Sequence, residues 1–300
     1  MEAILQIAVL AIVPLIFLSM AGLLPWVSGV LVVALEGFML LGAFVGAVVS
    51  SLSGYQSVGF LAAIGAGLVI GAVMAYVMVY LRADQVVAGI AFNIAAVGAT
   101  SFFFALIESH HGKLTPVRGG TVSVPFLSDL PVVGVVFSQH WLAILAPILV
   151  VALAFVLFRT GVGLRLRAVG DFSAGAHAAG VNVGGYRFWA TAASGALAAL
   201  GGAFLAIVSV GDFTENMTAG RGYIALTIVI LGRWKPWGAA AGALLFAVAE
   251  GLSVVWQGFA GLPSQLFLSI PYLLTLLAVT ASARASHGPV EEGRPMTVWA

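Results

Sequence analysis

Long apolar runs cover nearly the whole chain, at about residues 3–24, 29–51, 57–80, 85–107, 140–158, 188–208, 221–232, 237–257 and 265–281. A helix needs about 20 mostly apolar residues to cross the hydrocarbon core of a bilayer, and most of these runs have that length. None alternates apolar and polar positions with a period of two, so they predict helices rather than barrel strands. In lipid every backbone N–H and C=O needs an internal partner, which leaves only those two architectures. The pattern predicts an all-α, polytopic transmembrane helix bundle of about eight to ten spans, a single domain over residues 1–300. Breaks fall on turn chemistry: Pro25 with Ser28–Gly29, Ser53–Gly54, Arg82 to Asp84, and Gly261 with Pro263. Asp84 is placed to cap the helix beginning "QVVAGIAFN".

Composition agrees. The chain is 62% hydrophobic and 8% charged, against about 25% charged in a soluble domain. So few charges cannot cover a water-soluble surface, and the bilayer is the solvent for most of the chain. Cysteine is absent, which excludes disulfides and thiolate metal sites. A net charge of +1 gives no footprint for nucleic acid. Glu2 precedes the first run and no basic leader does, so that run reads as a retained span.

Charge placement orients the bundle, because Lys and Arg accumulate in cytoplasmic loops. With residues 159–187 inside, strict alternation puts Arg82, Arg159, Arg165, Arg167, Arg187, Arg233, Lys235, Arg284 and Arg294 on the cytoplasmic side. Lys113, Arg118 and Arg221 fall outside. This places the N-terminus out, and the C-terminus in with a cytoplasmic tail over 282–300. In "VILGRWKPWG" (229–238), Arg233 and Lys235 then form a cytoplasmic hairpin, with Pro236 in the first turn of the next helix.

Two spans are irregular. Residues 221–232 would cover only about 18 Å as a helix, and the second span is interrupted at Leu35-Glu36-Gly37. Short or broken segments at matching places in two halves point to a transport site. "EGFMLLGA" (36–43) resembles "RGYIALTI" (221–228), pairing Gly37 with Gly222 and Phe38 with Tyr223. "SVGFLAAIGAGLVIGA" (57–72) resembles "PWGAAAGALLFAVA" (236–249). In the topology above this repeat is inverted; the alternative is chance likeness between Gly- and Ala-rich helices. "AASGALAALGGA" (192–203) is a small-residue packing surface.

The chain carries no phosphate-binding loop, no H-E-x-x-H and no nucleophile elbow, so it reads as a non-enzyme without metal or cofactor of its own. His110 and His111 read as solvated loop residues. Glu36 and Glu250 are the carboxylates within spans, where burial costs about 2.5–3.5 kcal/mol each. Glu36, beside the helix break, suits either substrate contact or a proton relay, or a carboxyl packed on a helix N-terminus. For Glu250 the packing role is favoured; neither has a membrane-buried basic partner in this reading. Asn93, mid-span and next to Phe92, can read hydroxyls or a base edge, or join helices. "GDFTENMTAGRG" (211–222) either lines an access path through Phe213, Thr214, Glu215 and Asn216, or is a polar loop with Asp212 or Thr214 as a helix cap.

"RTGVGLRLRAVGDFSAGAHAAGVNVGGYR" (159–187) is long, polar and basic. "DFSAGAHAAG" can form a short helix with Asp171 or Ser173 as N-cap and Gly180 as its stop. That is the form of a docking surface for an ATPase; a basic loop that only sets topology is the other reading.

"LRADQVVAGIAFNIAAVGATSFFF", "GVGLRLRAVGDFSAGAHAAGVNV" and "ENMTAGRGYIALTIVILGRWKPWGAAAGALLFA" together resemble the permease subunits of bacterial ABC importers of the branched-chain amino acid, ribose and nucleoside group. The nucleoside and simple-sugar type is the most similar, over roughly residues 28–280. The resemblance implies a multi-pass subunit of the bacterial inner membrane. Its implied partners are a second, homologous permease, an ATPase subunit that uses ATP, and an extracytoplasmic substrate-binding protein. It implies import of nucleosides or related small polar solutes. The implied substrate pathway takes in Glu36, Phe92, Asn93, Phe213, Thr214, Glu215 and Asn216. The implied coupling surface takes in Arg165, Arg167, Gly170, Asp171, Phe172, Ser173, His177, Gly180, Arg233 and Lys235. A ribose-like sugar or branched-chain amino acid permease remains an alternative, as does an ion-coupled secondary carrier. Two departures stand out: Val32 occupies the place of an expected asparagine, and Asp171-Phe172-Ser173 stands where Glu-Asn-Pro is expected.

Overall fold

The computed structural model describes residues 2–112, 115–117, 122–123, 138–256, 269–282 and 288–293. Their helices are α1 (Glu2–Val27), α2 (Leu35–Ser53), α3 (Gln56–Ala75), α4 (Gln85–His111), α5 (Trp141–Arg159), α6 (Gly161–Asp171), α7 (Ser173–Ala178), α8 (Val183–Phe204), α9 (Arg221–Leu231), α10 (Pro236–Trp256) and α11 (Ile270–Ser282). Helices α3 and α8 widen into π turns over Tyr76–Tyr80 and Leu205–Val210. Val122–Ser123 pairs antiparallel with Ser138–Gln139 between α4 and α5. Among the described residues, seven helices are long and apolar enough to cross a membrane, and α9 is a shorter apolar helix. The chain is therefore an all-α polytopic bundle. Lys113, Arg118, Arg284, Arg294 and the Gly261–Pro263 turn lie outside the described residues.

Helix ends follow local chemistry. Asp84 accepts from the N–H groups of Val86 and Val87 at 2.9 Å and caps α4. Gly54, at φ +75°, closes α2, and Pro236 opens α10. Helix α1 runs two residues past Pro25, and its turn falls at Ser28–Gly29.

The expected thirty-residue loop is mostly helical: α6 and α7 fill it. Three glycines in α6 hide its helical pattern, and two of them are needed where it meets other backbones. A Cβ on Gly163 would sit 2.2 Å from the Val156 carbonyl oxygen, and one on Gly170 would sit 2.1 Å from that of Val27. Helix α6 therefore folds back on the end of α5 and against the α1–α2 turn.

Helix α8 runs through the core, packed on α1, α2 and α3. A Cβ on Gly202 would approach the Met39 carbonyl oxygen to 1.9 Å, so only glycine permits this α2–α8 crossing. The contacts also carry an internal exchange. Helix α1 packs on α9 and α10 as α8 packs on α2 and α3. Each member of the α2/α9 pair is preceded by a non-helical stretch, at 28–34 and 211–220. The N-termini of α2 and α9 meet.

Candidate functional site

The meeting point is built around Glu36. Its carboxylate accepts from the N–H of Gly220 at 2.8 Å and of Gly222 at 2.6 Å. Helix α9 begins at a glycine, Gly220 at φ +83°, with no side-chain cap of its own. Glu36 supplies the cap from another helix, satisfying two orphan donors with a charge suited to a helix N-terminus. Asp212 and Thr214 do not cap α9; Asp212 accepts instead from Phe213 N. The approach requires glycine, since a Cβ on Gly222 would sit 2.5 Å from Glu36 N.

Asn93 ties the same junction together. Its Oδ1 accepts from Gly37 N at 2.8 Å, and its Nδ2 donates to the Val33 carbonyl at 3.0 Å and to the Tyr223 hydroxyl at 2.9 Å. Unwound backbone at this depth is tolerable only where protein satisfies it; Gln85 does the same for Leu31 N at 2.6 Å. Asn93 lies eight residues into α4, about 12 Å along its axis. Phe92 packs on Phe38 with ring centroids 5.2 Å apart. Both amide hydrogens of Asn93 are engaged, whereas the Tyr223 hydroxyl, an acceptor here, still has its own proton to give. Tyr223 is 45% exposed.

The remaining pathway candidates separate. Phe213 is buried against Phe44 and Phe104, so it anchors the 211–220 segment rather than lining a surface. Thr214, Glu215 and Asn216 are exposed beside it. Val32 is buried with Val30, Ala34 and Phe38, so the departure at that position is absorbed by packing. Glu250 does have a basic partner, contrary to expectation: Arg221, at the first position of α9, forms an ion pair with it. The sequence reading had set Arg221 in an outer loop.

At one end of the bundle, α6 and α7 meet the 232–236 hairpin and residues 288–293. Arg167, Asp171, Arg233, Trp234 and Lys235 line one 310 Å³ cavity there. Arg167 lies over the Phe158 ring at 4.9 Å, and Arg165 donates to the Tyr186 hydroxyl at 3.4 Å. Phe172, just before α7, and His177, on it, are exposed, and Gly180, at φ +81°, follows its end. Gly170 is buried. Neither Asp171 nor Ser173 caps α7. Ser173 N donates to Glu291 Oε1 at 2.8 Å, a bond that a proline in its place could not make. Burial pushes the Glu291 carboxyl up, but Ser173 and the Arg187 guanidinium outweigh it and hold it below its ordinary value. Arg187, 2% exposed, pairs with Glu291 at 3.1 Å and donates to the Ser28 carbonyl at 3.0 Å.

Sequence reasoning missed Tyr223 and the Arg187–Glu291 pair. The repeat alignment held a signal for Tyr223, the polar counterpart of Phe38. Nothing in sequence spacing joins residues 187 and 291.

Comparison with known proteins gives a family. The description "Branched-chain amino acid transport system / permease component" matches residues 3–279. The guanosine ABC transporter permease protein NupQ of Bacillus subtilis is 35% identical over 94% of this chain and 92% of its own length. The nucleoside ABC transporter permease protein NupC of Lactococcus lactis is 35% identical over 93% and 92%. The putative glucose ABC transporter permease protein TsgC13 of Haloferax volcanii is 34% identical over 76% and 69%. No solved structure matches the chain.

Proposed function

This chain belongs to the permease components of branched-chain amino acid transport systems, and on that premise we propose that it forms half of an ATP-driven import pathway for nucleosides. It is a multi-pass ABC transporter permease, a transport component and not an enzyme. The observation that carries the proposal is the junction where α2 and α9 meet at Glu36 beside Asn93 and Tyr223. Half-helices meeting near the bilayer middle are the architecture of a transport site. A nucleoside is neutral, with hydroxyls and a planar base. Tyr223 and the neighbouring Phe92 offer a hydrogen-bond donor and an aromatic face to such a solute, while Glu36 and Asn93 hold the frame. Thr214, Glu215 and Asn216 stand on the approach from outside.

In this reading the α6–α7 end is cytoplasmic, with the N-terminus out and the C-terminus in. Helix α7 is the coupling helix, seated in the ATPase with Arg233 and Lys235 beside it. ATP is used by that partner. A second permease completes the pathway, and an extracytoplasmic binding protein delivers substrate. The similarity to a putative glucose permease keeps a sugar reading open, since both solutes carry a hydroxyl-bearing sugar ring. An ion-coupled carrier is disfavoured: the Glu36 carboxylate is held by backbone N–H groups and Glu250 is paired with Arg221, so neither is a free proton carrier.

The test is uptake of labelled guanosine, cytidine, ribose and leucine by cells with and without this gene. Loss of nucleoside uptake alone is expected. Loss of ribose or leucine uptake instead would move the substrate and keep the architecture.

A further inference from the structure

Helix α7 has no cap of its own, and the segment that caps it also grips two other elements. Glu291 Oε1 accepts from Ser173 N, its Oε2 pairs with Arg187 at the start of α8, and its backbone N–H donates to the Gly170 carbonyl at 3.1 Å. Arg187 Nε reaches on to the Ser28 carbonyl, and Gly293 N donates to the Gly29 carbonyl at 3.2 Å. From Gly29 the chain runs unwound to Leu35 and Glu36.

We propose that Glu291 is a positioning residue for transport: its carboxylate straps the coupling helix to α8 and to the turn leading into the broken helix α2. A displacement of α7 then reaches the Glu36 junction through hydrogen bonds and a buried ion pair, rather than being absorbed by a loose loop. Arg187 is 2% exposed, so the strap cannot swing away without stranding a buried cation, which is strongly unfavourable. The inference rests on reading α7 as the coupling helix.

The experiment uses the complete transporter, this chain with its partner permease, ATPase and binding protein, reconstituted in liposomes. Solute moved per ATP hydrolysed, ATPase co-purification and melting temperature are measured together. Glu291→Gln keeps the size and an acceptor for Ser173 N but loses the charge facing Arg187. Arg187→Lys keeps the charge but cannot reach both Glu291 and Ser28. Each is expected to retain ATPase co-purification and to lower transport per ATP at least about fivefold, a loss of about 1 kcal/mol of coupling. Val290→Ala, at a 66% exposed neighbour, is expected to change nothing. An unchanged ratio in both Glu291→Gln and Arg187→Lys, with or without a lower melting temperature, overturns the inference. Phe172→Ala, at the exposed residue just before α7, separates the two claims. If it keeps full ATPase binding, the coupling-helix reading falls; if it loses binding while the Glu291→Gln ratio stays unchanged, only the strap falls.

Discussion

The Glu36 carboxylate of α2 meets the backbone N–H of Gly222 in α9 at 2.6 Å, so one side chain joins the N-termini of the two broken helices. The same carboxylate takes Gly220 N at 2.8 Å, leaving neither donor orphaned. A buried carboxylate is costly in lipid, and here the helix N-terminus and its two donors offset that cost.

Glu36→Ala should therefore destabilise the protein by about 2–6 kcal/mol, since each of the two stranded donors costs about 1–3. Glu36→Gln should recover roughly half, because its amide oxygen can still accept. Thermal melting in detergent checks this; equal melting of Glu36→Ala and the unaltered chain would remove Glu36 from the frame.

Tyr223 and Asn93 should fail differently. Tyr223→Phe removes one hydroxyl from a half-exposed ring and frees one Asn93 Nδ2 hydrogen, so it should raise the KM for nucleoside about three- to tenfold, the value of one hydrogen bond, with a smaller drop in melting than Asn93→Ala. Asn93→Ala strands Gly37 N and the Val33 carbonyl, so it should lower melting and transport together. Transport kinetics with parallel melting curves distinguish the two patterns.

Arg233 and Lys235 project beside Arg167 and Asp171 around one cavity. Arg233→Ala with Lys235→Ala should weaken ATPase co-purification while insertion stays normal. The difference from the unaltered chain should shrink as salt rises, because salt already screens the exposed charges that the variant removes.

His140 sits at the opposite end of α5 from α6. Its Nδ1 accepts from Leu142 N at 3.3 Å, so Nε2 carries the proton and donates to Gln56 Oε1 at 3.0 Å. Burial lowers its pKa to about 4 from 6.5. A histidine lowered on folding stabilises the neutral form. That contribution, up to about 3 kcal/mol, is complete above pH 6.5 and is lost as pH falls towards about 4. Melting temperature should drop over that window, and His140→Asn, which can still cap α5, should flatten the drop.

The bundle was legible because hydropathy reports lipid-facing length directly, and the caps at Asp84, Gly54 and Pro236 are local chemistry. The breaks ahead of α2 and α9 were legible because polar and glycine residues interrupt two apolar runs there. Helix α6 was not, because its glycines serve tight packing and mask helical propensity. The partners of Glu36, Glu250 and Arg187 lie 184, 29 and 104 residues away, and no spacing rule spans such distances. Asn93 was found as a polar residue in a span, but its amide is engaged by Gly37, Val33 and the Tyr223 hydroxyl, which is why the proposal turns to Tyr223 for the solute.

The most direct measurement is uptake of labelled guanosine by the complete transporter in liposomes, with ATP present or absent and with ion gradients collapsed. Uptake that needs ATP and the ATPase subunit, and that survives collapse of the gradients, is the expected result. Uptake by this chain alone, or uptake that stops when the gradients collapse while ATP remains, would contradict an ATP-driven permease.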